Sequence, residues 1–100
     1  MKTIDRKFVF TAVNPVNRHI YSEKDAIVFC AKDMAVIPML KAYRDECVAL
    51  GCNREHIVSI DMLIGRVEEF QVNIEGRVPD TVGFEIQRCI GGVGVDDNSL

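Results

Sequence analysis

One hundred residues suffice for one domain, and a chain this short keeps a thin stability margin because it buries a small share of its surface. Hydrophobic residues make up 48% of it, enough for a core, while 12 basic against 15 acidic residues leave a net charge of -3. That balance excludes the strongly basic footprint of a DNA- or RNA-binding domain, and no apolar run is long enough to span a bilayer.

The first seven residues, Met1 to Lys7, carry charges where a secretory leader would place an apolar stretch, so no signal peptide is expected. Phe8-Val9-Phe10-Thr11-Ala12-Val13 is rich in aromatic and branched residues and predicts a strand. Asn14-Pro15-Val16-Asn17-Arg18 has the composition of a turn, and His19-Ile20-Tyr21 returns as a second strand. Ser22 to Asp25 reads as a turn or a single capped helical turn. The apolar run Ala26 to Ala31 favours a buried strand by its length and branching, with a helical segment as the alternative.

Two long helices follow. Asp33 is a candidate N-cap, and Pro38 sits close to the first turn, where its missing N–H costs least. Val36, Leu40, Tyr43, Cys47 and Leu50 fall on one helical face, and Gly51 ends the helix. Cys52 and Asn53 form the link. Asn53 caps a second helix with His56 three residues on, and Ile57, Ile60, Ile64 and Val67 continue its apolar stripe with Leu63, Phe70 and Ile74. Gly76 and Pro79 stop it. So short a link makes the helices antiparallel. Beyond Arg77-Val78-Pro79-Asp80, residues 82–90 read either as a short helix or as a strand. The glycine-rich and acidic end, Gly91 to Leu100, reads as a mobile tail.

The expected fold is therefore α+β: a small antiparallel sheet packed on an antiparallel two-helix hairpin, in a single domain. Residues 1–31 are mainly strands, 33–75 the hairpin, and 76–100 a short C-terminal element and tail.

No catalytic site emerges, and an enzyme is not expected. Adjacent acids on a helix, Asp45-Glu46 and Glu68-Glu69, diverge by about 100° and make no acid–base couple. His19 and His56 have no local tie to a thiol or an orienting carboxylate. Gly91-Gly92-Val93-Gly94 lacks the following Lys-Ser/Thr and helix of a phosphate loop. Cys30, Cys47, Cys52 and Cys89 form no C-x-x-C pair and read as reduced thiols of a cytoplasmic protein. Cys47, Cys52 and His56, spaced by four and three residues, invite comparison with zinc ligands. Cys47 belongs to the inner face of its helix, however, so the three are read as core and link residues, with no metal or other cofactor expected. The arginines offer rigid donor forks that fit phosphate: Arg44 and Arg66 on the hairpin, Arg18, Arg77 and Arg88 at turns or ends. With Phe84 as a stacking ring, these six are the candidate ligand-binding residues.

Taken in order, Phe8 to Ala12 with Asn14 to Arg18, Ala31-Lys32-Asp33, and Ala42 to Cys47 through Leu50-Gly51 resemble a family of small proteins of tailed bacteriophages and prophages. Glu55-His56-Ile57, Arg66-Val67 with Phe70-Gln71, Arg77 to Asp80 and Arg88 to Gly92 continue the resemblance over about nine-tenths of the chain. In broad outline the chain is also similar to the Thoeris anti-defence sponges of phages. The resemblance implies a non-enzymatic accessory protein of the host-cell cytoplasm that binds and sequesters a nucleotide immune signal. Its ligand would be a small cyclic nucleotide or an ADP-ribose-type molecule. The alternative is a protein-interaction factor that inhibits or adapts a host protein through the hairpin surface. Self-association is expected on either reading, because Ile37, Met39 and Met62 lie off the main stripes and a second copy would bury them.

Overall fold

The computed structural model describes residues 3–91, and the expected tail lies, from residue 92, outside them. In chain order the elements are strands β1 (Thr11–Val13) and β2 (Ile20–Ser22) and helices α1 (Val36–Ala49), α2 (Arg54–Asn73) and α3 (Gly83–Gly91). They belong to two compact units. One holds the residues up to Val28 together with those from Asp80 onward; the other is Phe29–Pro79.

The expected sheet packed on a two-helix hairpin is corrected on two counts. Three helices are present among the described residues, because 82–90, open between helix and strand, coils into α3. The sheet is only a two-stranded ribbon, and its strands lie outside the unit that holds α1 and α2.

In the first unit the ribbon is antiparallel, with Ala12 opposite Tyr21. Its turn is built by asparagines: Asn14 Oδ1 accepts from Val16 N–H and Asn17 Oδ1 from His19 N–H, both at 2.9 Å. Arg18 takes the left-handed conformation that closes it (φ 63°). The strands are far shorter than the apolar runs predict, because side chains take the donors a longer ladder would need. Asp5 accepts from the backbone of Lys7, Phe8 and Val28, and Glu23 from Phe10. For the same reason Ala26–Ala31 is no strand: the Val28 N–H is held by Asp5 Oδ1 at 2.8 Å. Helix α3 starts where Glu85 Oε1 reaches back to the Val82 N–H at 3.0 Å, half of a capping box. Lys7 joins the N-terminal segment to it. Its ammonium meets the Asp80 carbonyl and the Glu85 carboxylate, while its own carbonyl accepts from Arg88 at 2.8 Å.

In the second unit α1 and α2 pack on one another across a four-residue link, 50–53. Cys47, Ile60 and Ile64 are buried between them, with Ile37, Leu40, Cys52 and Ile57 half-buried around. Ile37, expected on the free face, therefore packs on the core. Val36 and Val67 are buried as well. Helix α1 starts after Ala35 rather than after Asp33. Asp33 has other duties: its carboxylate caps the turn at Ala35 N–H (2.8 Å), and its backbone bridges to Arg77. The Gln71 amide fastens the end of α2 to the entry of α1, donating 2.9 Å bonds to the carbonyls of Ala31 and Asp33. Gln71→Ala should lower stability by about 1–3 kcal/mol through loss of both bonds, and Gln71→Glu, which keeps the shape and loses the donors, should fall alongside it. Urea denaturation of the two variants checks this.

Candidate functional site

The junction of α1 and α2 is built by two capping motifs in succession. At the end of α1, Gly51 adopts φ +77°, which only glycine takes without strain. The Gly51 N–H donates to the Val48 carbonyl (3.1 Å) and the Cys52 N–H to the Cys47 carbonyl (3.0 Å). This is a Schellman motif, and such a motif brings the side chains of its outermost bonded pair together. Here that pair is Cys47 and Cys52. Immediately afterwards Asn53 caps α2, its side-chain oxygen accepting from the His56 N–H at 3.1 Å. That cap turns His56 back toward the junction.

The result is a cluster in which a ligand atom each from Cys47, Cys52 and His56 lies within 4.8 Å of the other two. Cys47 is 3% exposed; Cys52 is half-buried. Desolvation first, and hydrogen bonding with the neighbouring Cys47 thiol second, push the Cys52 thiol above its usual pKa. Tyr43, one turn before Cys47, closes the cluster. Its hydroxyl lies 3.3 Å from His56 Nε2, with the rings edge to face. Hydrogen bonding with the Cys47 sulfur keeps the Tyr43 proton on, above the ordinary phenol pKa.

Sequence reasoning set these residues aside because Cys47 faces inward. The structure shows that the inward face and the cluster are the same place. The signal that finds it is the pairing of a Gly51 C-cap with an Asn53 N-cap, which converts spacings of four and three into proximity.

The six candidate ligand residues are distributed differently. Arg44 grips Asp61 through two bonds, 2.5 and 3.2 Å, and this carboxylate holds its guanidinium charged above the usual arginine value. Arg77 pairs with Glu75 at 3.4 Å. Arg88 is bonded to the Lys7 carbonyl. Arg66 and Arg18 are exposed, and Phe84 is 78% exposed. Arg44, Arg66 and Arg77 belong to the second unit, and Arg18, Phe84 and Arg88 to the first. A shallow cleft of about 290 Å³ beside α3 is lined by Arg6, Thr81, Glu85, Ile86 and Cys89. It joins one cation to one anion and favours neither sign of ligand. No helix among the described residues is long and apolar enough to cross a membrane.

No family model matches the chain, and neither a curated protein nor a solved structure matches it. The expected assignment to viral, anti-defence, nucleotide-binding proteins is accordingly withdrawn, since no matching protein supplies it and the described residues form three helices and a ribbon in place of a simple hairpin.

Proposed function

We propose that this chain is a non-enzymatic protein-interaction domain that acts through the outer surface of α1 and α2, and that the partner its surface fits is a second copy of itself. The observation that carries this reading is a second apolar row on α2. Ile57, Ile60, Ile64, Val67 and Gln71 face α1 or the segment before it. Helical geometry puts Val58, Met62, Gly65 and Val72 on the opposite side, at spacings of four, three and seven, with the exposed Glu69 between Gly65 and Val72 in the same row. Val58, Met62 and Val72 are exposed, Val72 at 85%. The space over Gly65 is open, with nothing within 4 Å of where a Cβ would stand, so another helix can approach the backbone closely there.

The row is self-complementary. Val58 and Val72 each stand seven residues from Gly65. A twofold contact between antiparallel α2 helices, crossing at Gly65, sets Val58 of each copy against Val72 of the other. Arg44 already neutralises Asp61 beside that row. The four free cysteines are the state that a reducing cytoplasm maintains, which supports placing the protein there.

Sedimentation equilibrium under reductant tests the reading. At least a dimer is expected at micromolar concentration, and Met62→Glu, which puts a charge in the middle of the row, should return the protein to an 11.2 kDa monomer. A wild-type monomer over the whole range removes the proposal.

A further inference from the structure

We infer that Cys47, Cys52 and His56 form a binding site for a soft divalent cation of the zinc class, with Tyr43 positioning the imidazole. The donor set is the first argument. Two sulfurs and an imidazole nitrogen select zinc-like ions over magnesium or calcium, which take oxygen. Geometry is the second. A metal bound at about 2.3 Å to sulfur and about 2.0 Å to nitrogen in tetrahedral angles needs donors roughly 3.3–3.8 Å apart. The ligand atoms here lie within 4.8 Å of one another, so closure takes about an ångström, within reach of side-chain torsions without moving a helix.

The backbone supplies the third argument. The three ligands hang from two consecutive caps, Gly51 and Asn53, each fixed by its own hydrogen bonds, so the chain has met most of the ordering cost before an ion arrives. The fourth is the outer contact on the imidazole. In the tautomer where Nε2–H donates to the Tyr43 oxygen, Nδ1 keeps its lone pair for the metal, as metal-bound histidines are commonly held. Binding would transfer the two thiol protons to solvent and leave a fourth position for water. It would also clamp the four-residue link between α1 and α2. The site stands apart from the Val58–Val72 row, and the two proposals fail separately.

Cobalt is the probe, since it takes zinc sites and reports its ligands. Protein prepared under a non-chelating phosphine reductant and titrated with Co²⁺ should develop a sulfur-to-cobalt charge-transfer band and the intense visible bands of a tetrahedral centre. The signal should saturate at one metal per chain, and Zn²⁺ should abolish it while raising Tm. Cys47 is too buried to replace safely, so Cys52→Ser and His56→Gln are the informative variants. Cys52→Ser should lose about half of the charge-transfer intensity, and both should weaken Zn²⁺ binding. Tyr43→Phe should keep all three ligands and lose about 10–100-fold in affinity, the usual effect of removing an outer hydrogen bond. Absence of the charge-transfer band in the folded wild-type chain overturns the inference. So does a band that persists at full strength in both Cys52→Ser and His56→Gln, because the metal then sits elsewhere.

Discussion

Ile60→Ala should destabilise the protein by about 2–5 kcal/mol, the range for truncating a buried branched aliphatic side chain. Ile60 is 4% exposed and packs with Cys47 and Ile64 in the small cluster between α1 and α2. Val36, Cys47, Ile60, Ile64 and Val67 are the buried apolar side chains among the described residues, so no larger core surrounds the gap. The wall that remains is made of half-buried Leu40 and Ile57 and the helix backbones, and it can collapse only in part. Leu40→Ala should cost less, toward the lower end of the same range, because Leu40 already touches solvent. Urea melts of both variants decide it. A loss under half a kilocalorie for Ile60→Ala would mean that the α1–α2 interface contributes little to folding.

Asp5→Ala should be comparably damaging, at about 2–4 kcal/mol, and its effect should depend on pH. Asp5 is 6% exposed and is the buried charged residue among those described. Its Oδ2 accepts from Lys7 N–H (3.0 Å) and Phe8 N–H, and its Oδ1 from Val28 N–H (2.8 Å). Alanine leaves three backbone donors without an acceptor. Burial alone would raise the carboxyl pKa, but the three N–H groups and the nearby Arg6 charge more than offset it and bring it below the ordinary 3.8. A group with a lowered folded-state pKa stabilises fully above its unfolded value, and that contribution disappears as pH falls through the folded value. Stability attributable to Asp5 is therefore complete at neutral pH and lost below about pH 4. Asp5→Asn should also be destabilised at pH 7, since an amide that serves Lys7 and Phe8 with its oxygen sets its NH₂ against the Val28 N–H. The gap between wild type and Asp5→Asn should narrow as the acid limit is approached. A gap independent of pH from 7 to 3 would rule out the charged carboxylate as the stabilising species.

The helices show how far local signals reach. Gly51 as the end of α1 and Asn53 as the cap of α2 were readable because each acts on backbone groups within three or four residues of itself. The inner row Ile57, Ile60, Ile64 was readable because helical periodicity depends on spacing alone. The start of α1 was misplaced at Asp33, whose side chain and backbone are engaged by Ala35 and by the distant Arg77. The strands were misjudged more seriously. Phe8–Val13 and Ala26–Ala31 have β composition, but a strand exists only where a neighbour accepts its bonds. Here Asp5 and Glu23 accept them, from positions that composition does not reveal.

The candidate site divides in the same way. The residue types at Cys47, Cys52 and His56 and both caps were present in the sequence. Reading Cys47 as core set it aside as a ligand, and the structure places its buried sulfur beside Cys52 and His56. The arginines point the other way. Their number suggested an anion site, and the folded chain gives Arg44, Arg77 and Arg88 internal partners. From the sequence alone came the two long helices, the inward row Ile57, Ile60 and Ile64 of α2 and the link that joins the helices, because these follow from periodicity and capping over a few residues, whereas Tyr43 and Leu50, expected on the inner face of α1, are exposed. Tertiary structure alone decided that Asp5 is buried with three donors around it, because that depends on the folded backbone bringing the distant Val28 N–H within bonding distance.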